Sequence, residues 1–161
     1  MTEEEIIQTD LIKKFNILEN KIKIQRQRRI FAEVNDSDFD IVFNYIVSRL
    51  EFSVLCAITG IDLENSFGVI YHLGNKNNIV FSLKRILPRD NPSVKTVTNV
   101  FAGAEIYERE MMDLVGINVS GLAEGKRYPL PDDWPKDQFP LRKDWKSDDM
   151  VKGEQKQTED K

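Results

Sequence analysis

Four of the six prolines fall between Pro129 and Pro140, and that clustering divides the chain more sharply than any other feature. Proline lacks the backbone donor that helices and sheets use, and its ring fixes φ near about −65°. A segment with a proline every few residues therefore breaks both and favours an extended, polyproline-like path. Regular structure is predicted upstream, in an α+β domain over residues 1–120. An extended arm follows over residues 121–145, and the polar residues 146–161 are predicted to be a disordered tail.

Upstream of the prolines the apolar spacing alternates between helical and strand-like. Ile6, Ile7, Leu11, Ile12 and Phe15 recur at helical spacing behind Glu3, Glu4 and Glu5, acids that suit the positive end of a helix dipole. Ile22 and Ile24, then Ile30 to Val34, read as a hairpin turning at Gln27 and Arg28. Phe39, Val42, Phe43, Ile46, Val47 and Leu50 line one face of a second helix, with Asp36 or Ser37 as its cap. Phe52 to Ile58, Phe67 to Leu73 and Ile79 to Ile86 read as an antiparallel meander, separated by Gly60-Ile61-Asp62 and by the polar turn Gly74 to Asn78. A third helix is predicted from about Asn99, capped by Thr98 or Asn99, to Val115, with Gly116 as its stop. Together these elements predict a single domain, a mainly antiparallel sheet covered by helices.

With 161 residues and 40% hydrophobic content, the chain can fill one core. Its net charge of −4 argues against a nucleic-acid partner held by phosphate neutralisation. One cysteine, Cys56, and one histidine, His72, supply neither a disulfide nor a metal set, so no cofactor is expected in this chain. Cys56 reads as a small buried apolar residue and His72 as a structural one on the strand face opposite Phe67, Val69 and Tyr71. The acidic N-terminus and the lack of an apolar run of about 20 residues predict a soluble, cytoplasmic chain.

The third helix carries an apolar stripe of Val100, Ala104, Tyr107, Met111 and Leu114, with Glu105, Arg109 and Asp113 on the other side. Such charges are ordinarily solvated pairs worth about 0.2–0.5 kcal/mol each. Glu110 and Asp113, however, sit near the C-terminal end, where the dipole disfavours acids, and Arg109 precedes Asp113 in the poorer orientation. A local rule broken in this way suggests that the charged face meets a basic or hydrogen-bonding surface. The arm from Tyr128 to Trp145 combines prolines with Tyr, Trp, Phe and Arg, residues enriched at binding hot spots. Fully extended from Leu122 to Trp145, the arm could reach about 70 Å, against a domain roughly 35 Å across. It can leave its own domain, or fold back so that Trp134 and Trp145 cover it.

Pro88-Arg-Asp-Asn-Pro92, the run Phe101 to Ile117 containing Glu108-Arg-Glu110 and Asp113, Leu130-Pro-Asp-Asp-Trp134 and Pro140-Leu-Arg-Lys-Asp144 together resemble one family. That family is the 30 kDa subunit of NADH dehydrogenase, respiratory complex I, with relatives in energy-converting nickel–iron hydrogenases and formate hydrogenlyases. The resemblance runs from about Phe52 to Trp145 and includes Thr59-Gly-Ile-Asp62 and Tyr71-His-Leu73. Val115 departs from it by replacing the usual aromatic, and Gly121 to Lys126 by lacking a histidine-containing turn.

The resemblance implies a protein with no catalytic, cofactor-binding or metal-binding residues. It would pack against a large catalytic subunit and an iron–sulfur small subunit, and would touch the membrane only through them. Iron–sulfur clusters and, in a hydrogenase, a nickel–iron centre would belong to those partners. The implied contact residues are Glu105, Glu108, Arg109, Glu110, Asp113, Trp134, Pro140, Leu141, Arg142, Lys143 and Asp144. The short, unfused chain tilts the expectation toward a hydrogenase, with complex I as the alternative. Two other classes stay open: a small hydrolase with Glu105 and Glu108 as acid and base, and a nucleic-acid module built on Arg26, Arg28 and Arg29.

Overall fold

A computed structural model describes residues 1–147; the predicted tail lies almost wholly outside the described residues. The chain runs α1 (Glu3–Lys14), β1 (Ile22–Arg26), β2 (Arg29–Asn35), α2 (Asp36–Ser48), β3 (Val54–Asp62), β4 (Ser66–Gly74) and β5 (Val80–Pro88). It continues with β6 (Ser93–Lys95), α3 (Ala104–Val115) and β7 (Asn118–Ser120). The main sheet has the order β1-β2-β5-β4-β3. Its pairings are antiparallel except for β2 with β5, which run parallel, Arg29 facing Val80 and Val34 facing Arg85. The α+β class and the meander match the sequence; the parallel join at the centre has no signature in it.

Alternation along the strands puts one face of the sheet into the core. Ile30, Ala32 and Val34 of β2, Phe67, Val69, Tyr71 and Leu73 of β4, and Phe81, Leu83 and Leu87 of β5 are all buried. Phe39, Val42, Phe43 and Ile46 form the buried stripe of α2 and pack on β2 and β5. The Phe39 and Tyr71 rings lie 4.7 Å apart, and those of Phe43 and Tyr71 5.6 Å. His72 faces the other side, as its register predicts. Its Nδ1 lies 2.9 Å from Ser82 Oγ, and burial lowers its pKa.

Several boundaries differ from the sequence reading, each for a local reason. Asp36 opens α2, but its carboxylate pairs with Arg85 instead of capping the helix. Arg85 is a buried cation, stacked 4.2 Å from the Phe39 ring centre, and a buried charge needs a counter-ion more than a helix needs its cap. Gly60-Ile61-Asp62 is not a separator but the end of β3, and the turn comes at Leu63 to Asn65, where Glu64 adopts φ +71°. Cys56 is exposed rather than buried, because it is the extra residue of a bulge between Leu55 and Ala57 that turns it out of the alternation.

α3 begins at Ala104, not near Asn99. The backbone around Val97 is bonded instead to the Glu108 side chain further along the helix. Regular structure also continues past Gly116, since β7 pairs in parallel with β6 and sets Val119 against Val94. Three-residue strands carry too little alternation to be read in advance.

α3 lies on the edge strand β3, where Gly60 gives it room. A Cβ on Gly60 would lie 2.7 Å from Met111 Cγ and 3.4 Å from Val115 Cγ2. Gly60→Ala is therefore expected to lower the unfolding free energy by about 1–3 kcal/mol. Gly103→Ala, where an added Cβ meets nothing within 4 Å, should stay within about 0.5 kcal/mol of the parent. Urea denaturation of the two variants checks this.

Candidate functional site

At the end of β3, one carboxylate ties its own turn to two segments distant in sequence. The Asp62 side chain is 1% exposed. Its Oδ1 accepts from the Glu64 backbone N–H at 2.8 Å and from Arg89 Nη1 at 2.7 Å, and its Oδ2 accepts from the Lys143 backbone N–H at 3.0 Å. Burial alone would raise the pKa of this carboxyl. The donors, Arg89 first, outweigh burial and hold it at about 2. Arg89 also donates to Asp144 at 3.0 Å, so its guanidinium joins the end of β3 to the arm.

Two arginines share the ring of Phe67. The guanidinium carbon of Arg89 lies 4.9 Å from the ring centre and that of Arg142 lies 5.0 Å from it, while Arg142 also sits 4.3 Å from the Phe139 ring. Arg142 closes α3 as well: its Nε donates to the Val115 carbonyl at 2.7 Å and its Nη2 to that of Gly116 at 3.3 Å. The last carbonyls of a helix lack internal partners and carry partial negative charge, so a cation placed there is doubly favourable. Gly116 makes the turn possible with φ +76°. The arm then follows α3 through the Leu141 backbone N–H, which donates to the Leu114 carbonyl at 2.9 Å.

The charged side of α3 is spent on the same arm. Asp113 accepts from Arg127 Nε at 2.8 Å and from the Leu130 backbone N–H at 3.2 Å. Arg109 pairs with Glu105 at 2.9 Å, the favourable orientation one turn apart, and donates to the Ala123 carbonyl at 2.7 Å. The acid that violates the helix dipole thus meets a basic, hydrogen-bonding surface supplied by its own chain. Glu108 is fully buried and accepts from the Val97 N–H at 2.8 Å and from Thr96 Oγ1 at 2.6 Å. Its bonds run to the segment before α3 and not to Glu105, so the two do not act as an acid–base pair, and it is turned inward where the resemblance implies an outward contact.

Of the other residues that the sequence singles out, Glu105, Leu141, Lys143 and Asp144 are exposed. Glu110, Trp134, Pro140 and Arg142 are half-buried. Lys143 Nζ reaches Glu64 at 2.8 Å. The rings of Trp134 and Trp145 lie 6.2 Å apart, and Trp134 Nε1 donates to the Gln138 carbonyl at 2.9 Å. The arm therefore folds back on its own domain over its described length. Asp62, Arg89 and Arg127, which fasten the arm to the domain, are positions that the sequence does not single out as contacts. Asp62 and Arg89 lie inside two of the resembling motifs, and an acid closing an otherwise apolar strand is the signal available. Arg127 carries none.

The convergent segments all lie inside the span that a family comparison recognises. Residues 32–151 match the model of the respiratory-chain NADH dehydrogenase 30 kDa subunit. This chain belongs to that family. A subunit of the F(420)H(2) dehydrogenase of Methanosarcina mazei is 35% identical over 125 residues, covering 76% of this chain and 78% of that one. The beta subunit of the membrane-bound hydrogenase of Pyrococcus furiosus is 39% identical over 67 residues, covering 40% and 39% of the two chains. The longer C/D subunit of the NADH-quinone oxidoreductase of Phocaeicola vulgatus is 41% identical over 95 residues, and the match covers only 18% of it.

Among solved structures, a chain of an archaeal membrane-bound sulfane sulfur reductase superposes with a TM-score of 0.80. It is 25% identical and covers 96% of this chain and 92% of that one. A fragment of Nqo5 shares the fold, with a TM-score of 0.62. These family members are subunits of oxidoreductase complexes, and no helix among the described residues is long and apolar enough to cross a membrane.

Asp62→Asn should lower stability by about 2–3 kcal/mol at pH 7, since it removes the buried counter-ion of Arg89 and leaves it only the exposed Asp144. Because the folded-state pKa of Asp62 is depressed to about 2, its contribution is complete above about pH 4 and is lost as pH falls toward about 2. The difference between parent and variant in urea midpoints should therefore shrink over that window.

Proposed function

We propose that this chain is a non-catalytic docking subunit of a membrane-associated electron-transfer complex. It packs against a large catalytic subunit and an iron–sulfur small subunit on the cytoplasmic side of the membrane. The observation that carries the reading is the convergence of the recognised segments on one surface, where α3 and the folded-back arm are locked together by Asp62, Asp113 and Arg142. That lock leaves Ile106 and Leu141 more than half exposed, with Glu110 lining one surface depression together with Leu141. Exposed apolar side chains on a rigid, polar-rimmed surface suit a partner, because little ordering entropy is left to lose on binding.

The redox centres belong, on this reading, to the neighbours: iron–sulfur clusters in the small subunit and a nickel–iron centre in the large one. The hydrogenase assignment is supported by the Pyrococcus relative. A complex I type assembly is the second reading, supported by the NADH-quinone oxidoreductase relatives. The F(420)H(2) dehydrogenase relative, matched through three quarters of both chains, supports a related plan with another electron donor. The docking role is common to all three.

The test is purification of the tagged chain from gently solubilised membranes of its own host, with mass spectrometry, metal analysis and a hydrogen-evolution assay. Co-purified subunits with nickel, iron and hydrogen evolution are expected. Iron and flavin without nickel would move the chain to a dehydrogenase, and a chain eluting alone and metal-free would overturn the docking role.

A further inference from the structure

Between α3 and the arm lies an open cleft of about 450 Å³, large enough for a few side chains. Its charge differs from that of the molecule. Arg109, Lys126, Arg127 and Lys136 line it against Asp113 and Asp132, on a chain whose net charge is −4. Arg127 is neutralised by Asp113, and Arg109 by Glu105. Lys126 and Lys136 are exposed and have no ion pair among the described residues. Met112, Tyr128 and Phe139 supply apolar wall beside them. The contacts of Arg127 with Asp113 and of Arg109 with Ala123 hold helix and arm together, so the cleft is built before anything enters it.

We infer that this cleft receives an acidic segment of a neighbouring subunit, an Asp or Glu side chain next to an apolar one, with Lys126 and Lys136 as the cations that meet the carboxylate. The inference rests on the docking role proposed above and adds the site and the chemistry of the contact. Unpaired lysines at the rim of a preformed cleft attract an acidic partner, and the apolar wall takes the adjoining side chain.

The experiment uses the complex purified with the full-length chain and a carbodiimide, which joins an amine to a carboxylate without a spacer. Lys126 or Lys136 is expected to be joined to an Asp or Glu of another subunit. Links from these lysines confined to carboxylates of this chain, such as Asp132, would overturn the inference. In parallel, the double variant Lys126→Glu/Lys136→Glu should recover about tenfold less of the partner subunits at physiological salt, with an unchanged urea midpoint showing that it is folded. If parent and variant recover the partners equally, the inference fails while the docking role stands. If the parent itself elutes alone, the docking role fails first.

Discussion

The Asp62 carboxylate stands at the end of the edge strand and accepts from Arg89 after β5, from the turn after β3 and from the backbone of the arm at Lys143. Each donor is charged or is a backbone amide that would otherwise need another partner, and such bonds are about twice as strong as neutral ones. Two segments distant in sequence are thereby fixed to the end of β3. Without this carboxylate, Arg89 and Arg142 would face each other across Phe67 with only Asp144 nearby. The ion cluster fixes the Lys143–Asp144 end of the arm against the end of β3.

From that anchor the rest of the surface follows. Lys143 bonded to Asp62 brings Arg142 to the end of α3, where it satisfies carbonyls that the helix cannot satisfy itself. Arg127 then reaches Asp113, an acid that the helix dipole disfavours and that a neighbouring cation makes favourable. Glu108 works from beneath, holding the segment before α3 through Val97 and Thr96. The charged residues of this region are chiefly internal fastenings, and the face they leave outside, on which the proposed docking would fall, carries Ile106, Glu110, Leu141 and the lysine-rimmed cleft.

Much of this is legible in the residues. Apolar spacing in α1 and α2 and alternation in β4 and β5 place the elements close to their observed bounds, because each buries one face against the same core. Spacing cannot show the parallel join of β2 to β5, which depends on how the meander returns, nor β6 and β7, which are too short to alternate. Cys56 departs from its expected burial because a bulge shifts the alternation by one residue without any mark in composition. At the candidate site, the resemblance implies that Glu108 and Arg142 face outward to a partner. Both are instead drawn inward by long-range partners, Thr96 and the α3 terminus, that periodicity cannot see.

The arm is part of the domain, held through Asp62, and amide hydrogen exchange on the isolated full-length chain tests this most directly. It is read at Leu141 and Lys143, whose N–H groups donate to the Leu114 carbonyl and the Asp62 carboxylate. Both are expected to exchange at least about a hundredfold more slowly than in a free peptide. Exchange at the free-peptide rate, with β4 and β5 still protected, would contradict it.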